Sequence, residues 1–171
     1  MIDLAGVIRN VPDFPKPGIQ FKDITTLLKD PAAFRQAIDQ LTARYRDRGL
    51  AKVVAVESRG FIFGAALAYN IGAGFVPVRK PGKLPAETIK EEYALEYGTD
   101  ALEIHKDAIA PGDRVLVLDD LLATGGTLAA TCRLVERLGG RIEEVAAVIE
   151  LAFLNGRAKL AGRPIHTLIT F

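Results

Sequence analysis

Apolar residues recur at helical spacing through Phe34, Ala37, Ile38, Leu41 and Tyr45, after Asp30-Pro31 and before Gly49. An acidic N-cap, a proline at the first helical position and a closing glycine mark one helix, which the pattern starts at Pro31. Other stretches have another rhythm. Lys52–Val56 and residues 75–78 are short β-branched or apolar runs, and residues 115–118 contain no polar position, which suits strands buried on both faces. Residues 60–69 are small and apolar enough for a packed helix between the first two strands. Residues 127–138 set Leu128, Cys132, Val135 and Leu138 on one helical stripe that Gly139-Gly140 ends, and residues 145–149 and 165–169 supply further strands.

Two regions depart from this alternation. Residues 11–18 carry Pro12, Pro15 and Pro17, which fix φ and remove amide donors, so the sequence predicts an extended, rigid arm there. Residues 80–110 begin with Gly82 and Pro85 and continue as two alternating stretches, 88–97 and 102–105, separated by Gly98-Thr99-Asp100; a protruding loop leading into an antiparallel hairpin is expected. Strands alternating with helices imply an α/β fold: a mainly parallel twisted sheet flanked by helices, with ligand sites at the carboxyl ends of the strands. The 171 residues are read as one domain, with an arm at about 1–28 and a hood of loop and hairpin at about 80–110.

Composition narrows the classes. With 49% hydrophobic and 25% charged residues the chain is neither disordered nor fibrous, and a net charge of +1 gives no general attraction to nucleic acid or to a membrane surface. The single cysteine, Cys132, cannot form an internal disulfide or a thiolate cage and reads as a buried, inert thiol. His105 and His166 have no ligand-spaced partner and read as structural or surface groups. The first residues lack a basic stretch followed by an apolar one, and no apolar run reaches membrane-spanning length, so a soluble cytoplasmic protein is expected.

The chemistry concentrates in Val-Leu-Val-Leu-Asp-Asp-Leu-Leu-Ala-Thr-Gly-Gly-Thr, residues 115–127: a buried strand, two acids, then a Gly/Thr turn opening a helix. Ala123, Thr124, Gly125, Gly126 and Thr127 can turn backbone N–H groups and two hydroxyls on a phosphate at the positive end of the helix dipole. Neither the Gly-Lys-Ser/Thr of a nucleoside-triphosphate loop nor the three-glycine dinucleotide pattern is present. Asp119 and Asp120 precede the cradle by about one sugar, where carboxylates accept hydrogen bonds from a ribose diol. Diol and phosphate together point to a ribose phosphate. A second anion can be held by the amides of Ser58 and Gly60 with the Arg59 guanidinium, and Arg79, Lys80 and Lys83 add cations in a Gly/Pro loop.

The segment 115–127 resembles the phosphoribosyl-pyrophosphate signature of the type I phosphoribosyltransferases. Four further segments, Phe-Pro-Lys-Pro-Gly-Ile-Gln-Phe-Lys-Asp-Ile-Thr from Phe14, Ser-Arg-Gly-Phe-Ile-Phe-Gly from Ser58, Arg-Lys-Pro-Gly-Lys-Leu-Pro from Arg79 and Tyr-Ala-Leu-Glu-Tyr-Gly from Tyr93, are similar in order to the adenine-specific members of that family over nearly the whole chain. The resemblance implies the type I fold with its small hood and the reaction of adenine with phosphoribosyl pyrophosphate to give AMP and pyrophosphate. It also implies Mg²⁺ carried mainly by the substrate, and a homodimer. It assigns pyrophosphate to Ser58, Arg59, Gly60 and the basic loop, with a strained peptide near Glu57-Ser58, and places adenine between Phe21 and Leu151, with Leu121 nearby. Main-chain groups around Gln20 and Lys22 would read the base edge; this chain has Gln20 and Lys22 where the family commonly has an apolar residue and an Arg. Glu96, near the purine imidazole edge, is the implied acid/base, with Tyr97 beside it on the hood. Asp119, Asp120 and Arg59 complete the implied catalytic set. Two other readings compete: transfer to a 6-oxopurine, and a regulator that only senses phosphoribosyl pyrophosphate.

Overall fold

The computed structural model describes residues 1–95 and 98–171. After a single turn, α1 (Leu4–Val7), the strands β1 (Arg9–Pro12) and β2 (Gln20–Asp23) pair antiparallel with Val11 opposite Phe21. The arm is therefore a hairpin rather than one extended connection. Its prolines fall at the end of β1 and in the intervening loop, where no ladder N–H is needed. Asp13 accepts from the Gly18 N–H (2.7 Å) across that loop, and Arg9 Nε donates to Asp23 (3.0 Å) across the strands.

A short helix α2 (Thr25–Leu28) leads into α3 (Pro31–Tyr45), capped as expected: the Asp30 carboxylate accepts from the amides of Ala32 (2.9 Å) and Ala33 (3.0 Å). Strand β3 (Lys52–Val56), helix α4 (Arg59–Ile71) and strand β4 (Gly74–Val78) follow. The hairpin β5 (Thr88–Ala94) and β6 (Thr99–His105) precedes β7 (Arg114–Leu122), α5 (Gly126–Arg137), β8 (Arg141–Glu150) and β9 (Ile165–Thr170). Two 3-10 turns, Ala152–Leu154 and Gly156–Leu160, lie between the last two strands.

The five-stranded sheet is parallel throughout, in the order β4-β3-β7-β8-β9. Alternate residues of its strands enter two cores, as the pleat requires. Val53, Leu116, Leu118 and Val148 pack with α3 and α4 on one face, while Val54, Val117, Val145 and Ala147 pack with α5 on the other. The hairpin belongs to that second core instead of projecting freely. Leu102 and Ile104 are fully buried, and Glu91 on β5 is held by Arg133 (2.5 Å) and Arg137 (3.0 Å) of α5. Cys132 lies in the same core, where burial pushes its thiol pKa up to about 12, so it is protonated and unreactive.

One buried charge ties the layers together. Glu144 on β8 accepts two hydrogen bonds from Arg44 (2.7 and 2.6 Å) and one from the Tyr45 hydroxyl (2.7 Å). Burial opposes ionisation of Glu144, but the hydrogen bonds from Arg44 and Tyr45 outweigh it and leave the pKa below the ordinary value of 4.5. Such a depressed carboxylate stabilises the fold above its unfolded pKa, and that contribution is lost as pH falls through the folded value. Glu144→Gln is expected to lower stability by about 1–3 kcal/mol at neutral pH, with the difference from the native chain shrinking below pH 4. Urea unfolding at pH 7 and pH 3.5 checks this; an equal loss at both would show that charge is not the source.

Candidate active site

Because β3 and β7 are parallel neighbours, their carboxyl ends lie side by side, and each leads into a helix, α4 or α5. Unlike α3, neither helix has a side-chain cap: Ser58 and Gly125 make no capping hydrogen bond. Two helix N-termini without side-chain caps therefore meet at one place, a suitable geometry for anions. Between them is a cleft of about 380 Å³, lined from α4 by Ser58 and Arg59, from β7 by Asp119, Asp120 and Leu121, and from the turn by Ala123, Thr124, Gly125, Gly126 and Thr127.

The turn owes its shape to close contacts. Gly125 has φ +81°, which side-chain-bearing residues rarely adopt, and a Cβ there would lie 2.3 Å from the Gly156 carbonyl oxygen. Conversely, a Cβ on Gly156 would lie 2.2 Å from the Ala123 carbonyl oxygen and 3.1 Å from the Gly125 nitrogen. The 3-10 turn starting at Gly156 is thus the outer wall of the cradle. Gly60 serves close packing as well, since a Cβ on it would lie 2.9 Å from Asp119 Oδ1.

The two acids differ in state. Asp119 is buried, its Oδ1 accepting the Asp120 N–H at 2.8 Å, and burial followed by the neighbouring Asp120 charge raises its pKa well above the ordinary carboxylate value. Asp120 carries the opposite partner: Arg59 Nε donates to its Oδ2 at 2.5 Å. Asp120 is thus ion-paired, while burial disfavours the ionised form of Asp119. The Glu57–Ser58 peptide at the same corner is cis.

The basic loop divides. Lys80 lines the cleft; its backbone N–H donates to Glu57 Oε1 (2.6 Å) and its ammonium pairs with Asp100. Arg79 lies off the cleft wall with Nε 3.4 Å from Glu57 Oε1, while its backbone pairs with Glu103 of β6. Lys83 is exposed and does not line the cleft. Glu96 and Tyr97 lie outside the described residues.

A second cleft, of about 430 Å³, opens on the other side of Arg59 and is lined by Val11, Phe14, Phe21, Lys22 and Ile24. Phe14 packs its ring edge-on to Phe21, with centroids 5.1 Å apart, and gives the Phe21 face a fixed orientation. Lys22 Nζ sits 4.1 Å over the Phe171 ring, and Gln20 accepts from Asn10 on the exposed hairpin face. Leu151 lines neither cleft: it is half-buried at the end of β8, donating its N–H to the Leu122 carbonyl (2.9 Å). His105 Nε2 accepts from the Ala86 N–H (3.3 Å), and His166 stacks edge-on near Tyr45, away from both clefts. Among the described residues no three His, Cys, Asp or Glu side chains gather to hold a metal ion, and no helix is long and apolar enough to cross a membrane.

Sequence reasoning misses Glu57, Gly156, Tyr93 and Asp100. Glu57 is legible only as part of the Ser58 turn, and Gly156 touches the cradle through a long-range contact that no local pattern announces. Tyr93 and Asp100 look like ordinary hairpin residues until the hairpin is docked on α5.

Comparison with known proteins places this architecture. The phosphoribosyl transferase domain family matches residues 23–164. The adenine phosphoribosyltransferase of Chloroflexus aurantiacus is 63% identical over 169 residues, covering 99% of this chain and 98% of its own. The crystal structure of adenine phosphoribosyltransferase from Thermoanaerobacter pseudethanolicus superposes with a TM-score of 0.95 at 57% identity, covering 99% of this chain and 98% of that one. The Saccharomyces cerevisiae adenine phosphoribosyltransferase, complexed with an imino-altritol bisphosphate and adenine, superposes with a TM-score of 0.91 at 43% identity, covering 97% and 96%. With two helix N-termini and an acid pair meeting in one cleft, and identity of this order running the length of the chain, this protein belongs to the adenine phosphoribosyltransferase family.

Proposed function

We propose that the chain transfers the phosphoribosyl group of phosphoribosyl pyrophosphate to adenine, releasing pyrophosphate and forming AMP, a purine-salvage reaction. The observation that carries this reading is the adjacency of two unlike clefts across Arg59: one built for anions and a sugar, the other offering an aromatic face. In the first, the amides of residues 123–127 with the Thr124 and Thr127 hydroxyls receive the 5′-phosphate, and Asp119 and Asp120 receive the ribose diol. Ser58, Arg59, Gly60 and Lys80 receive pyrophosphate, with Arg79 and Lys83 supporting from the loop. In the second, Phe21 covers one face of adenine, with the backbone of Lys22 and of the neighbouring Gln20 at the base edge; Leu121, on the wall of the first cleft, and Leu151, at the end of β8, are the apolar residues proposed for the other face.

In the reaction the C1–oxygen bond to pyrophosphate breaks as the C1–nitrogen bond to adenine forms, and the imidazole proton of the base leaves. Positive charge on the sugar is opposed by Asp120, and negative charge on the leaving group is met by Arg59 and Lys80. Glu96 is the proposed acceptor of the departing proton, with Tyr97 beside it. Magnesium fits as a substrate-borne ion: among the described residues the cleft's carboxylates are Asp119, Asp120 and Glu57, and this cation is commonly held by one or two carboxylates with substrate oxygens and water, where it would neutralise developing phosphate charge. We also read the chain as one domain acting as a homodimer in the cytoplasm. Its one cysteine is buried and unbridged, which suits a reducing compartment.

Release of pyrophosphate by the purified protein, with phosphoribosyl pyrophosphate, Mg²⁺ and in turn adenine, hypoxanthine, guanine and xanthine, tests the reading. Turnover with adenine alone is expected. Turnover with a 6-oxopurine would overturn the assignment of the Phe21 cleft, and tight ligand binding with no turnover would favour a sensor.

A further inference from the structure

Lys80 is held by two carboxylates, and only one of them lies on the cleft wall. Glu57 accepts the Lys80 backbone N–H at 2.6 Å, which fixes where the side chain starts. Its ammonium is paired with Asp100, a residue that does not line the cleft. Asp100 is itself held in place. Its Oδ1 accepts the Ala101 N–H (2.8 Å) and its Oδ2 accepts the Tyr93 hydroxyl (3.2 Å). Tyr93 is buried, its ring stands against the first residue of α5, and its hydroxyl receives a long hydrogen bond from Thr127 (3.4 Å).

We propose that Asp100 is a positioning residue that competes with pyrophosphate for Lys80: it holds the ammonium when the cleft is empty, yields it to the bound pyrophosphate, and takes it back as pyrophosphate leaves. The inference rests on the assignment of pyrophosphate to this cleft. Its physical basis is the flexible four-carbon stem of lysine, which can swing between two anions on a fixed backbone. The Lys80 and Asp100 side chains are 43% and 29% exposed, so water screens their attraction and the pair can open without a large penalty. Arg59 and Asp120 form a matching pair across the same cleft. Tyr93 keeps the Asp100 carboxylate on station, so that Lys80 has a defined place to return to.

The test is calorimetric titration of the full chain with pyrophosphate and Mg²⁺, run with the native protein, Asp100→Asn, Lys80→Ala and the double variant. Asp100→Asn is expected to tighten pyrophosphate about two- to fivefold, the range set by a partly exposed ion pair. Lys80→Ala should weaken it, and adding Asp100→Asn to Lys80→Ala should change nothing further. In steady state, Asp100→Asn should lower the KM for phosphoribosyl pyrophosphate and lower kcat with it, because the freed lysine retains the product. Tyr93→Phe, which keeps the ring, should tighten pyrophosphate by a smaller factor and provides the same reading if Asp100→Asn does not fold. An equal effect of Asp100→Asn with and without Lys80, or an unchanged or weakened affinity, overturns the competition. Failure of the native protein to release pyrophosphate with adenine would instead overturn the transferase reading itself.

Discussion

Gly156→Ala is expected to damage both the fold and the phosphate cradle. The added carbon would lie 2.2 Å from the Ala123 carbonyl oxygen and 2.9 Å from Leu122 Cδ1, and the first of these is backbone that cannot rotate away. Relief requires the 3-10 turn Gly156–Leu160 to move off the cradle, breaking the packing of fully buried Leu160. Overpacking of this kind costs about 3 kcal/mol, which for a chain of this length lowers Tm by roughly 6–12 °C. The cradle should suffer as well, with ribose 5-phosphate binding weakened more than tenfold. Thermal melting and titration with ribose 5-phosphate measure the two effects. Gly162→Ala supplies a control, at a glycine of φ +82° where an added Cβ would meet nothing within 4 Å. A variant that melts lower yet binds ribose 5-phosphate as the native chain does would show that the wall supports the fold without shaping the cradle.

Removing the acid pair should leave the fold largely intact and remove most of the rate. Asp119→Asn with Asp120→Asn keeps the size of both side chains and their ability to accept from a ribose diol, so AMP binding should weaken only modestly. The lost quantity is fixed negative charge beneath a sugar that becomes positive in the transition state, and kcat is expected to fall about 10²–10³-fold. The structure separates the two contributions. Asp120 is ion-paired with Arg59; Asp119, buried and pushed toward its protonated form, loses less when it becomes an amide. Asp120→Asn alone should therefore account for most of the loss. Measurement of kcat beside the AMP dissociation constant decides the matter: losses of equal size in both would mean the acids serve binding and not charge stabilisation.

How far the sequence reaches depends on the range of the contacts involved. The helix at Pro31, the buried run at 115–118 and the acid-Gly-Thr turn are legible because caps, periodicity and strand-to-helix turns are local signals. Strand β7 nevertheless extends through both acids to Leu122, further than its apolar run, because Asp119 and Asp120 sit at the buried carboxyl edge and are satisfied there by hydrogen bonds and an ion pair. The arm reads as a single extended segment because three prolines dominate its composition, whereas the pairing of Val11 with Phe21 depends on a ten-residue return. Lys80, Asp100 and Tyr93 are separated along the chain and meet only when β5 and β6 pair and dock on α5. Spacing alone cannot announce their roles.

The placement of Gly156 against Gly125 also bears on how the protein is made. The acid pair and the phosphate turn are synthesised before β8, and β8 before the wall that closes the turn. A nascent chain that ends between Thr127 and that wall carries the whole signature segment yet lacks the shaped cradle. A ligand that binds only the finished fold adds to its stability by mass action. Substrate can therefore protect completed molecules from unfolding while giving no such protection to truncated ones.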